Sequence, residues 1–87
     1  MRILFYRYNS ICEPDFIEGF SECGFEVDEI RAEMEDKSIK GGQTIELVSK
    51  ELMTKSYDFV FSINFYPAIS AICELMGVKY LCQTVDS

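Results

Sequence analysis

The chain has no histidine and no tryptophan, only two prolines, and 8 basic side chains against 15 acidic ones. The missing histidine removes Ser-His-Asp and Cys-His catalysis from these residues, along with histidine metal ligation and a histidine switch near neutral pH. Proton chemistry is left to carboxylates, Cys, Lys and Tyr. The shortage of cations gives a formal net charge of -7. That argues against nucleic acid or an anionic lipid surface as a partner, since both need clustered Lys and Arg. The four cysteines, Cys12, Cys23, Cys73 and Cys82, form no Cys-x-x-Cys pair, so no metal site is expected. The opening apolar run is cut by Arg7. It is too short for a signal-peptide core or a membrane span, so a cytoplasmic protein with reduced thiols is expected.

What is present is a dense apolar complement: 48% hydrophobic residues, seven Phe and five Tyr in 87 positions. This excludes disorder and specifies one small domain or part of one, in which about 60 to 65% of the unfolded surface is buried and aromatic rings carry much of the core. Residues 2–8 are rich in strand-forming types and stop at Asn9-Ser10, a turn signal. A helix follows, with Pro14 at its start, Phe16, Ile17, Phe20 and Cys23 on one face, and Gly24 where a left-handed terminator belongs. Phe25 is then placed to pack back on Phe20. Residues 25–30 form a second strand whose Glu26, Asp28 and Glu29 suit a sheet edge.

Residues 31–42 are charged and aperiodic, ending in Gly41-Gly42, and read as a long exposed connection, either plain loop or functional lid. The spacing predicts a second helix over 43–56, with Ile45, Val48, Leu52 and Met53 on its buried face and Glu46-Lys50 and Glu51-Lys55 as supporting pairs. Phe59-Val60-Phe61-Ser62-Ile63 has no polar alternation, as a central parallel strand covered on both faces requires. Pro67 opens a third helix over 68–76, apolar nearly all round and ending at Gly77. Such a helix needs cover from more than one side, from further chain or by self-association. A fourth strand spans 78–85.

The alternation of strands and helices specifies an α/β fold: a three-layer Rossmann-like or flavodoxin-like domain over residues 1–87, its parallel four-stranded sheet in the order 2-1-3-4. Ligands of such sheets bind beyond the carboxyl ends of the strands, where the winding reverses, here between the first and third strands. The residues delivered there are Asn9, Ser10 and Cys12, then Asn64, Phe65 and Tyr66, and Thr84, Asp86 and Ser87. Amides, hydroxyls and aromatic faces suit a polar, ring-shaped ligand such as a sugar, although Asn and Ser also serve as ordinary caps and turn formers. The first loop holds no glycine, which excludes a dinucleotide fingerprint or a P-loop there. Cys12 stands where a phosphocarrier thiol would, but Glu13 and Asp15 beside it disfavour both thiolate and phosphate. Nor does the chain carry the acidic cluster and phosphorylatable Asp of a receiver domain. Glu13, Asp15, Glu18 and Glu22 read as an acidic helix start and a solvated face.

Three segments carry a resemblance: the opening Met-Arg-Ile-Leu-Phe-Tyr, the stretch Tyr-Asp-Phe-Val-Phe-Ser-Ile-Asn-Phe-Tyr-Pro at 57–67, and the ending Lys-Tyr-Leu-Cys-Gln-Thr-Val-Asp-Ser at 79–87. Together they resemble the N-terminal domain of spore-maturation-protein-like bacterial glycosyltransferases. The resemblance implies a GT-B enzyme of two Rossmann-like domains, the N-terminal one shaping the acceptor side and a C-terminal one holding a nucleotide sugar. On that basis these residues are the first portion of the acceptor-side domain and are inactive alone, and they hold no cofactor themselves. The implied partner is the C-terminal donor-binding domain. The candidate cleft rim is Asn9, Ser10, Asn64, Tyr66, Asp86 and Ser87. Val85 stands where the family often has an aromatic residue. The competing class is a stand-alone flavodoxin-like regulatory or interaction domain docking through its apolar helix.

Overall fold

A computed structural model describes residues 1–35, 38 and 41–83. Four strands, β1 (Arg2–Tyr6), β2 (Glu26–Ile30), β3 (Phe59–Ile63) and β4 (Lys79–Gln83), alternate with helices α1 (Glu13–Glu22), α2 (Ala32–Glu35), α3 (Gly41–Thr54) and α4 (Pro67–Met76). The sheet is wholly parallel in the order β2-β1-β3-β4, the expected 2-1-3-4 winding.

Ile3, Leu4, Phe5 and Tyr6 are entirely buried, because successive side chains of a central strand point into two different cores. One core gathers Leu4, Tyr6, Val60, Val48 of α3 and Ile69 and Cys73 of α4. The other gathers Ile3, Phe5, Phe61 and Ile63 under Phe16, Ile17 and Phe20 of α1. In this second layer Phe20 stands edge-on to Phe61 with ring centres 5.1 Å apart, and Phe5 and Phe16 meet the same ring at 5.1 and 5.3 Å. At the amino end of the sheet, Asp28 accepts hydrogen bonds from Arg2, Tyr57 and Lys55, joining β1, β2 and the α3–β3 loop. Burial alone would raise the Asp28 carboxyl; these donors outweigh it and hold the group below its ordinary value.

The expected terminators are in place. Gly24 has φ +94° and Gly77 φ +72°, a region open to glycine without a Cβ clash. The Phe25 amide closes on the Phe20 carbonyl at 3.1 Å, and the Val78 amide on that of Cys73 at 2.9 Å.

Three expectations are corrected. Residues 31–42 are not a bare connection: α2 opens them, Glu33 within it is buried, and Gly41 and Gly42 are the first residues of α3. Residues 36, 37, 39 and 40 of that stretch lie outside the described residues. On α3 the buried line is Thr44 and Val48 with Leu47 and Leu52, whereas Ile45 and Met53 face solvent. The face turns because Thr44 follows Tyr6, bonding its hydroxyl at 3.1 Å. Of the expected pairs on that helix, Glu51-Lys55 gives way to tertiary contacts, with Lys55 on Asp28 and Glu51 sharing the single Tyr57 hydroxyl proton with Asp28.

On α4, Ile69 and Cys73 are buried while Leu75 is 81% exposed. All four cysteines are unpaired thiols, and burial pushes that of Cys73 up to about 11. Among the described residues no helix is long and apolar enough to cross a membrane, and none of the His, Cys, Asp or Glu side chains form a cluster able to hold a metal ion.

Candidate functional site

The winding reverses between β1 and β3, and the register pairing Tyr6 with Ser62 sends their two loops out of the sheet side by side. Each loop carries an asparagine in the left-handed region, Asn9 at φ +75° and Asn64 at φ +67°. Asparagine is among the few non-glycine residues that adopt this conformation readily. Both are exposed, and Ser10 is half-buried. Asn9 and Ser10 thus follow β1, and Asn64 follows β3, at the carboxyl ends of adjacent strands. Asp86 and Ser87 lie outside the described residues.

The β1–α1 loop is held by Glu13, which is wholly buried. Its carboxylate accepts hydrogen bonds from the Tyr8 amide at 2.7 Å, the Asn9 amide at 2.9 Å and Arg7 Nε at 3.1 Å. Arg7 in turn donates to Glu29 at 2.8 Å, tying the carboxyl ends of β1 and β2 together. Burial opposes ionisation of Glu29, but Arg31 and Arg7 hold its carboxyl below the ordinary value. The sequence places Glu13 at an acidic helix start favoured by the dipole; its complete burial on loop amides and Arg7 goes beyond that. It sits at the first helical position, facing the free amides of its own entry loop.

The β3–α4 loop is held by a directed chain of hydrogen bonds. Ser62 Oγ donates to the Asn64 carbonyl at 2.8 Å. Its single proton is thereby used, so the Tyr80 hydroxyl donates to Ser62. The Tyr80 oxygen then accepts the Tyr66 amide at 3.1 Å. Four groups on three elements fix the backbone from Asn64 to the start of α4.

Tyr66 differs from what its position implied. Its hydroxyl donates to Glu33 at 2.7 Å, and its ring stands edge-on to Tyr6 at 5.1 Å. Burial, then the Glu33 carboxylate, pushes the phenol far above its ordinary value, so it stays protonated at any physiological pH. Tyr66 is a strut between α2 and the rim. Glu33, which completes it, has no local signal in the sequence, being 33 residues away from its partner.

Two aromatic side chains stand exposed on the same loops, Tyr8 at 46% and Phe65 at 56%. Phe65 leans on Tyr80 with ring centres 6.0 Å apart. Asparagines and exposed aromatic rings on the same two loops are residue types able to hydrogen-bond hydroxyls and stack on a ring.

Compared with protein-family models, curated proteins and solved structures, the chain matches none. Cys12 stands at the N-cap position of α1 without a side-chain cap bond, its sulfur instead 3.2 Å from the Ser10 hydroxyl. Arg7, the cation this loop carries, is committed to Glu13 and Glu29. A phosphoryl group on Cys12 would meet carboxylates without a free counter-charge, which disfavours the phosphocarrier reading.

Proposed function

We propose that these residues form part of the acceptor side of a bacterial GT-B-type glycosyltransferase, with the rim of Asn9, Ser10 and Asn64 bordering the acceptor sugar. One observation carries the reading: two left-handed asparagines on adjacent loops at the winding reversal, flanked by the exposed faces of Tyr8 and Phe65. This is a neutral, hydroxyl-seeking surface, where a phosphate or nucleotide site would carry glycines or free cations. Tyr66 supports the rim from beneath, and Asp86 and Ser87 are assigned to the same cleft by the family resemblance. In this reading the nucleotide-sugar donor is held by a second, C-terminal domain, the enzyme is cytoplasmic, and the 87 residues alone turn nothing over, because transfer requires two substrates held in register.

The test is nucleotide release from a panel of nucleotide sugars by the parent polypeptide, in the presence of candidate acceptors. Asn64→Ala and Asp86→Asn are expected to lower kcat/KM at least tenfold with thermal midpoints shifted by only a few degrees. Unchanged rates would remove both residues from the site, and turnover by the isolated chain would refute the division of labour.

A second reading, a small interaction domain self-associating through α4, is favoured by the 81% exposure of Leu75. Sedimentation equilibrium separates the two. A Leu75-dependent dimer supports the interaction domain, and a monomer at all concentrations excludes it.

A further inference from the structure

The outer side of α1 breaks three rules of helix design along a single stripe. Gly19 sits in mid-helix, where glycine costs about 1 kcal/mol relative to alanine, and a Cβ built there would meet nothing within 4 Å. Asp15, Glu18 and Glu22 follow one another at three- and four-residue spacing, where like charges repel. Glu22 also lies in the last turn, at the negative end of the helix dipole, and α1 has no basic residue. None of these three acids takes part in an ion pair among the described residues.

The same stripe borders an open apolar groove of about 370 Å³, lined by Asp15, Phe16, Gly19, Phe20 and Cys23. Beyond α1 the sheet face continues to β4, where Leu81, paired with Phe61 and on the same face, is 44% exposed. The groove has an apolar floor, a missing side chain at Gly19 that permits close approach, and a ridge of carboxylates along its rim.

We infer that this groove is the docking site for an amphipathic helix with a Lys- or Arg-rich flank, supplied by a partner protein. Its apolar side seats between α1 and the β3–β4 face, with a backbone turn against Gly19, and its cations pair with Asp15, Glu18 and Glu22. Charge decides the occupant. A second copy of this chain would bring the same acidic ridge and a further net charge of -7, so self-association at this face is disfavoured.

Selection of a displayed library of helix-forming 18-residue peptides against the intact chain tests the inference. The expected winners carry apolar residues at i, i+3, i+4 and i+7 with a basic flank, and their amide-shift perturbations map to α1 and β4. Gly19→Ala is the decisive variant: it should raise the urea midpoint, because alanine favours the helix, while weakening the selected peptide at least tenfold. Glu18→Lys with Glu22→Lys should weaken it at least as much. Failure to enrich any peptide would overturn the proposal. So would winners without basic residues, perturbations away from α1, affinity indifferent to these variants, or a dimer of the chain formed through α1.

Discussion

Glu13→Ala tests whether a buried carboxylate organises the β1–α1 loop. The native side chain is fully enclosed and accepts from two backbone amides and Arg7. Alanine leaves the Tyr8 and Asn9 amides without their acceptor, at about 1 kcal/mol or more each, and removes one of the two carboxylates on a guanidinium that is itself nearly buried. Arg7 keeps Glu29, so the loss falls short of a wholly orphaned charge, and the sum is about 3 to 5 kcal/mol. A domain of this size has only about 4 to 13 kcal/mol in total. Urea unfolding followed by circular dichroism should therefore show the midpoint falling by roughly 2 to 3 M, for a slope of about 1.5 kcal/mol/M. The Tyr8 and Asn9 amides should lose their protection from hydrogen exchange.

A double-mutant cycle with Arg7→Met apportions the effect. If the ion pair dominates, Arg7→Met should recover part of the loss; if the backbone amides dominate, it should recover little. A Glu13→Ala loss below about 1 kcal/mol would refute the reasoning, because it would mean that the loop keeps its shape without the carboxylate.

Other outcomes follow from the same structure. Asp28 and Glu29 have depressed carboxyl values, so their stabilisation is complete above their ordinary values of 3.8 and 4.5 and is lost as pH falls through the lower folded-state values. Stability should drop from about pH 4.5 downward, and Asp28→Asn should flatten that limb; an unchanged limb would exclude the Arg2-Asp28-Lys55 cluster as its source. Tyr80→Phe removes the relay between the Tyr66 amide and Ser62 and should cost about 1 to 2 kcal/mol by chemical denaturation, whereas a neutral result would show that the β3–α4 loop does not depend on it. Under native conditions at pH 8 a thiol reagent should modify the exposed Cys23 and Cys82 quickly and Cys73 only on unfolding; fast reaction of all four would contradict the packing of α4.

The parts of the fold legible in the sequence are those written in local chemistry. The unbroken apolar run at 59–63 marked a strand covered on both faces, and Gly24 and Gly77 marked helix ends whose left-handed backbone the structure shows. What escaped was written in distant pairs. Glu13 looks like any acidic helix start until Arg7 and two loop amides close on it. Glu33 sits in a charged stretch that offers no reason for burial until Tyr66 reaches it. Ile45 and Met53 fitted a helical face, but the Tyr6-Thr44 hydrogen bond rotates α3 away from them. At the rim, Asn9 and Asn64 were recognisable from strand-end logic. The exposure of Tyr8 beside them depends on how Glu13 folds the loop.

The two borders of the sheet are chemically unlike. β2 presents Glu26, Asp28 and Glu29 under a lattice of arginine and lysine contacts. β4 bears one charge, Lys79, and four of its five residues are exposed. Strand addition is thus guarded on one side and permitted on the other. A fibre needs two receptive borders per molecule, whereas antiparallel pairing of two β4 strands about a twofold axis consumes the single receptive border of each. Among the described residues, pairing of two β4 borders would leave the charged β2 borders outward, so the charge pattern opposes extension beyond two copies.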